Sequence, residues 1–264
     1  MVNGPGNGMK IGIVGAMPQE IARLQQDLRS ARRETRGMRE YLQGTLYGKE
    51  VALVFSRCAK VAAASTATTL IEVFGVDLIV FTGVAGAADE SLEIGDVVIG
   101  TMLVQHDLDT RPLFRRFEVP LLDKIAFEAP AELVALAVRS AESYLGDQLA
   151  RDVSAESLDA FGIRSPPKVR AGLIVSGDQF IADPGRLREL RQGLQSAALP
   201  AQLCVEMEGA AVAQVCHEHG VRMIVMRTIS DKADHSAAIA FVPFVEQIAS
   251  HFTCGIVREV ISQV

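Results

Sequence analysis

The chain has 264 residues, 49% of them hydrophobic, with a formal charge of −6 and no tryptophan. That length suits one α/β domain, whose core must be filled by Ala, Val, Ile and Leu because aromatics are few. The acidic balance argues against a nucleic-acid partner, which requires a basic face, and four scattered cysteines fit a reducing cytoplasm.

Residues 1–8 (MVNGPGNG) read as a disordered leader or cloning remnant, with the folded domain over 9–264. No charged segment there leads into an apolar run with a small-residue cleavage site, so secretion is not expected. Residues 10–14 (KIGIV) predict a buried first strand, running through Gly15-Ala16-Met17 into a helix that Pro18 opens and that continues to about Arg33. Glu20 lies at this strand–helix junction, where open α/β sheets place ligands. It is a catalytic candidate or, more plainly, a first-turn carboxylate favoured by the helix dipole. Residues 41–47 and 51–56 predict a hairpin closed through Gly48-Lys49-Glu50. A small-residue helix follows over 61–74, ended by Gly75. Residues 77–82 form another apolar strand, and Gly83-Val84-Ala85-Gly86 follows it. That spacing is no dinucleotide fingerprint, but it leaves bare backbone against which a flat ring can stack. The region 61–88 is interrupted by Glu72, Asp77 and several threonines, which excludes a membrane span.

Residues 96–105 resume the sheet. The loop 106–123 carries several large apolar residues that need cover, so it is a candidate partner interface. A helix is expected over 131–144, then a polar excursion or lid over 147–168. Residues 169–175 return as a strand, followed by Ser176 to Ile181 and a helix over 184–195. The stretch Cys204 to Ala211 (CVEMEGAA) then ends a strand and opens a helix that Gly220 closes. Glu206 and Glu208 share one side of the extended segment there, either at a solvated strand end or in a site. A last strand covers 221–229, and Arg227 within it needs a carboxylate or a ligand. The closing helix spans about 241–260. Cys216, His217 and His219 point in different directions on a helix, and His106, Asp107 and Asp109 read as loop polarity, so no metal is expected.

The strand ends gather Glu20, Gly86, Phe180, Glu206, Glu208, Arg227 and Asp231 at one edge of the sheet. That set suits a polar, flat-ringed small molecule and acid–base chemistry. In this order, IGIVGAMPQE, SRCAKVAAA, FTGVAGA, GLIVSGDQFI, VEMEGAAVA and ISDKAD resemble the bacterial 5′-methylthioadenosine/S-adenosylhomocysteine nucleosidases, over nearly everything from Met9 onward. The resemblance implies a single α/β domain of the nucleoside phosphorylase-like type, with a twisted, barrel-like mixed sheet flanked by helices. It also implies a homodimer, no cofactor, and hydrolysis of the N-glycosidic bond.

By the same resemblance Glu20 orients or deprotonates the attacking water and Asp231 protonates adenine N7. Glu208 holds the ribose hydroxyls, with Met207 on the sugar face and Glu206 beside it, while Arg227 helps hold the water. Phe180 stacks on the adenine, the Ile181 backbone reads its edge, Gly86 lines the pocket, Phe241 closes over it, and Ser230 joins the binding set. The family's loop matching 110–120 reaches into the neighbouring subunit. Three departures stand out: Val84 where a serine is usual, Cys58-Ala59 in place of Ile-Gly in the SGIGK pattern, and the long stretch 147–168. Two other readings stay open, a phosphorylase on the same fold and a non-catalytic adenine-nucleoside-binding protein.

Overall fold

The computed structural model describes residues 8–264, so the leader expected over 1–8 falls almost wholly outside the described residues. The first half of the chain forms β1 (Ile11–Gly15), α1 (Pro18–Asp27), β2 (Arg29–Arg36), β3 (Arg39–Leu46), β4 (Lys49–Phe55), α2 (Lys60–Glu72), β5 (Leu78–Ala87), β6 (Val97–Gln105) and β7 (Ala126–Glu128). Helix α3 (Ala131–Ser143) then runs through a π-helical turn into α4 (Leu149–Asp152), with α5 (Ala155–Ala160) and β8 (Val169–Ser176) following. The last third comprises α6 (Pro184–Ser196), β9 (Gln202–Glu206), α7 (Gly209–His219), β10 (Arg222–Asp231), α8 (Ala237–Phe244) and, after a second π-helical turn, α9 (Ser250–Gln263).

The strands form one mixed sheet in the order β10-β6-β8-β9-β5-β1-β4-β3-β2, with β7 on β6. Because β10 pairs with β5 as well as with β6, five strands close into a ring and the other four extend from β5 as a wing. This is the barrel-like mixed sheet that the family resemblance implied. Every residue of β1 and β5 is buried, which is why those strands read as unbroken apolar runs rather than alternating ones. Helix α9 packs on α1 and α3, and α2 packs on α7. The buried faces of α2 and α7 are mostly small residues, alanine above all, so their axes can approach closely.

Several boundaries differ from the sequence reading. Helix α1 ends at Asp27 rather than near Arg33: Leu28 turns extended, and 29–36 pairs antiparallel with β3. The composition of that segment tolerates a helix, but a waiting strand partner outweighs local propensity. As the outer edge it carries four arginines, charges that discourage pairing with another chain. The hairpin turn falls on Tyr47 and Gly48, both at positive φ (49° and 82°), as a two-residue turn with the right-handed strand twist requires. Strand β5 continues through Gly83–Gly86 instead of stopping before them.

The stretch 147–168 is not a lid. It folds into α4, α5 and their connections, buries Val153 and Ile163 in the main core, and sets Phe161 edge-on against Phe244. The closing helical run begins earlier than expected, at Ala237. It is long and apolar enough to cross a membrane (27 residues, mean hydropathy 1.3), yet half of its apolar window is buried within the fold. In the loop 106–123, Phe117 is fully buried, whereas Leu113 and Leu121 remain 82% and 92% exposed.

Candidate active site

A cleft of about 530 Å³, its mouth included, opens where β1, β5, β9 and β10 end. Glu20, Gly86, Phe180, Ile181, Glu206, Met207, Glu208, Ser230, Asp231 and Phe241 all line it, so every residue expected at the site is there except Arg227. The wall also includes Met17, Cys58 and Gln179, which composition and spacing did not single out. Phe180 is half-exposed and stands edge-on to Phe241, ring centroids 5.6 Å apart.

Glu20 both closes the start of α1 and lines the cleft. In the first turn of α1, its Oε2 accepts the backbone N–H groups of Ala16 and Met17 at 2.6 and 2.9 Å, closing the helix start. Its Oε1 accepts the Val84 N–H at 3.1 Å and faces the cleft wall. Burial raises this carboxyl above its ordinary value, while Arg227 and the three backbone donors pull the other way. The close approach depends on Gly83, where a Cβ would lie 2.6 Å from Glu20 Oε1.

Glu206 and Glu208, two residues apart, have different tasks. Glu206 ends β9 and is saturated: Arg227 donates to Oε2 at 2.6 Å, the Gly209 N–H donates to both oxygens at 2.8 and 3.0 Å, and the Ser176 hydroxyl donates to Oε1. Arg227 lies behind the wall, its guanidinium 4.2 Å from the centre of the Phe81 ring and otherwise committed to Glu206 and backbone carbonyls. Of the carboxylate or ligand that the sequence called for beside Arg227, the structure supplies a carboxylate, Glu206. Ser176, fully buried, passes the contact on by accepting the Ala210 N–H at 2.7 Å, which ties α7 to β8. A strand-end serine gave no signal of this in sequence. Glu208 instead keeps one oxygen for the Ala59 N–H at 2.7 Å. Burial, and then the charge of Glu206, push its carboxyl up to about 8.

Asp231 is aimed by a bulge. The β10–β5 register shifts between Ile229 and Asp231, leaving Ser230 unpaired and turning both side chains toward the cleft. Its Oδ1 accepts the Ala233 N–H and its Oδ2 the Ser230 hydroxyl, both at 2.8 Å. Burial raises this carboxyl too, opposed by those two donors. Gly86 lets the acid in, since a Cβ there would sit 2.8 Å from Asp231 Oδ1.

The sequence model of the Phosphorylase superfamily matches residues 10–262. A curated 5′-methylthioadenosine/S-adenosylhomocysteine nucleosidase of Shewanella denitrificans is 37% identical over 243 residues, covering 92% of this chain and 95% of the relative. The crystal structure of the Neisseria meningitidis nucleosidase of that name, in complex with methylthio-immucillin-A, matches with a TM-score of 0.83 at 31% identity, covering 97% of this chain and 99% of that one. The chain belongs to the 5′-methylthioadenosine/S-adenosylhomocysteine nucleosidase family. It is accordingly an N-glycosyl hydrolase. Native futalosine hydrolase of Helicobacter pylori, with a TM-score of 0.81, 30% identity and coverage of 97% and 98%, has the same fold.

Two departures from the nucleosidase pattern lie in the wall itself. Val84 offers the cleft a methyl face while its N–H holds Glu20. Cys58 is exposed at the cleft beside Glu208 and Glu20; burial of its sulfur and those two carboxylates push the thiol up to about 11. Arg57 and Ala59, on either side of it, both adopt positive φ (71° and 77°).

Proposed function

We propose that the protein hydrolyses the N-glycosidic bond of 5′-methylthioadenosine and/or S-adenosylhomocysteine, releasing adenine and the 5-thio-substituted ribose. Breaking this bond builds positive charge on the ribosyl ring and negative charge on the departing base. Asp231, its carboxyl raised by burial, donates a proton to adenine N7, and Glu20 takes the proton of the attacking water. Glu208 binds the ribose hydroxyls with Met207 against the sugar. Phe180 stacks on the base, the Ile181 backbone reads its edge, Gly86 and Ser230 line the pocket, and Phe241 closes it. Arg227, behind the wall, pairs with Glu206 and bears on the water through its charge, which favours the ionised form of Glu20. The working form is a homodimer in the cytoplasm, with Leu113 and Leu121 covered by the second copy.

The observation that carries hydrolysis over phosphorolysis is the position of Glu20. Its carboxylate already takes the N–H groups of Ala16, Met17 and Val84, the donors that an anionic acceptor would need. A phosphate brought there meets a like charge in a buried site, whereas water does not. The test is incubation with 5′-methylthioadenosine, with and without phosphate, and identification of the sugar. Free methylthioribose without phosphate is expected. A ribose 1-phosphate product that requires phosphate overturns the reading, and binding without base release leaves only a binding protein. Running S-adenosylhomocysteine, 5′-deoxyadenosine and aminofutalosine alongside ranks the 5′ substituents.

A further inference from the structure

Three segments bordering the cleft are tied together by a closed ring of polar contacts. Lys60, the first residue of α2, donates from Nζ to Asp107 Oδ1 at 2.6 Å. Asp107, two residues past β6, accepts the backbone N–H of Asp178 on its other oxygen at 2.8 Å. Asp178, two residues past β8, returns its own carboxylate to the backbone N–H of Lys60, also at 2.8 Å. The pairs are separated by 47, 71 and 118 residues, so only the folded chain brings them together. The side chains of Lys60 and Asp107 are only 15% and 19% exposed. Burial alone would raise the Asp107 carboxyl, but Lys60 and the Asp178 N–H hold it below its ordinary value, which keeps the ring charged.

Each corner of the ring does something its own segment cannot. Helix α2 has Ala59 at its N-cap, with no side-chain oxygen for the free N–H groups of the first turn. Asp178 supplies that acceptor from a distant loop. Immediately before Lys60, the Ala59 N–H holds Glu208. Immediately after Asp178, Gln179, Phe180 and Ile181 form the other wall of the cleft.

We propose that Lys60, Asp107 and Asp178 form a positioning clasp that fixes the 178–181 loop against the Ala59–Glu208 contact. The base side and the ribose side of the cleft are thereby held at a binding separation before the nucleoside arrives, which spares the ordering that binding otherwise requires. The clasp rests on the reading of Phe180 and Ile181 as the base side and of Glu208 as the ribose side. None of the three residues lines the cleft, so the clasp acts on affinity and leaves the bond-breaking step to the acids.

The test combines adenine titration by calorimetry with kcat and KM for 5′-methylthioadenosine in wild type, Asp107→Ala, Lys60→Met and Lys60→Arg. Loss of one charge-assisted contact weakens adenine binding and raises KM by about tenfold in the first two variants. Their kcat falls by less than threefold, and Lys60→Arg stays within threefold of wild type in every constant. Unchanged adenine affinity and KM in folded Asp107→Ala and Lys60→Met overturn the clasp. So does a loss that appears in kcat alone, or one that Lys60→Arg shares in full. If Asp107→Ala does not fold, the two Lys60 variants still decide. If wild type binds adenine but never cleaves the nucleoside, the proposed reaction fails while the adenine comparison still tests the clasp.

Discussion

Glu206 and Arg227 meet at 2.6 Å where their side chains are 2% and 1% exposed. A buried pair of this kind adds little over a well-packed apolar pair, but removing one member strands the other's charge. Arg227→Met is expected to lower unfolding stability by about 3–5 kcal/mol, read from urea midpoints at constant slope. The double variant with Glu206→Leu recovers part of that loss. A single variant within 1 kcal/mol of wild type (about the spread of surface pairs) rules out the pair as a support that ties the end of β9 to β10.

The acid role of Asp231 predicts that Asp231→Asn loses turnover by at least about a hundredfold while adenine binding stays within a few-fold, because the amide keeps the shape but cannot protonate N7. In wild type the Asp231 carboxyl is raised by burial and must be protonated, so activity falls as pH rises through that value. Glu20, also raised by burial, must be ionised, so activity falls as pH drops through its own. A bell-shaped kcat profile is expected, and its alkaline limb is the one that depends on Asp231. Activity of Asp231→Asn within threefold of wild type removes that residue from the mechanism.

Gly83 and Gly86 make the steric version of the same argument. A Cβ at Gly83 would meet Glu20 Oε1 at 2.6 Å, and one at Gly86 would meet Asp231 Oδ1 at 2.8 Å. Neither carboxylate has room to retreat, since backbone N–H groups hold both. Gly83→Ala and Gly86→Ala should therefore each cut kcat by about a hundredfold or more, as small misplacements of catalytic groups do. Wild-type kcat in a folded variant shows that the acid moves freely.

How far the site was legible follows from where its information sits. Glu20, Glu208 and Asp231 stand at junctions of apolar runs, and such charges call for a reason wherever they occur in a sequence. The need of Arg227 for a carboxylate or a ligand was legible too, but its partner was not: 21 residues separate it from Glu206, and the resemblance pointed to a water instead. The extent of α1 was misread because pairing of Arg29–Arg36 with β3 is a tertiary event that local composition does not record. The bulge at Ser230 and the bond from Ser176 to Glu206 were invisible for the same reason, since both are set by strand register. The 147–168 stretch looked like a polar excursion because its few apolar residues are widely spaced, yet Val153 and Ile163 suffice to anchor it.

Glu208 makes the stability of the empty enzyme depend on pH. Its folded-state value, about 8, lies above the 4.3 of an unfolded glutamate. The native state therefore holds a proton that the unfolded chain has released, and this contribution is complete below about pH 4 and lost as pH rises through about 8. Glu20 and Asp231, raised in the same direction, add to the trend. The melting temperature without ligand should fall between pH 5 and pH 8, and Glu208→Gln, uncharged throughout, should flatten the curve. Each proton released steepens the slope by up to about 1.4 kcal/mol per pH unit. Identical slopes in wild type and Glu208→Gln show that Glu208 ionises as freely folded as unfolded.

Ala59 holds Glu208 from a backbone conformation (φ 77°, ψ 162°) that is essentially reserved for glycine. The strain is of order 1–3 kcal/mol, and glycine at the same position removes it while adding about 0.5–1 kcal/mol of unfolded-chain entropy. Ala59→Gly should thus stabilise the protein by roughly 1 kcal/mol in urea unfolding. Because the N–H to Glu208 Oε1 survives the change, KM for the nucleoside should stay within twofold. A destabilised Ala59→Gly locates the main constraint on this turn in the alanine methyl rather than in the backbone angle. Stabilisation together with a higher KM shows instead that the strain sharpens the grip on Glu208, a stability cost retained for binding.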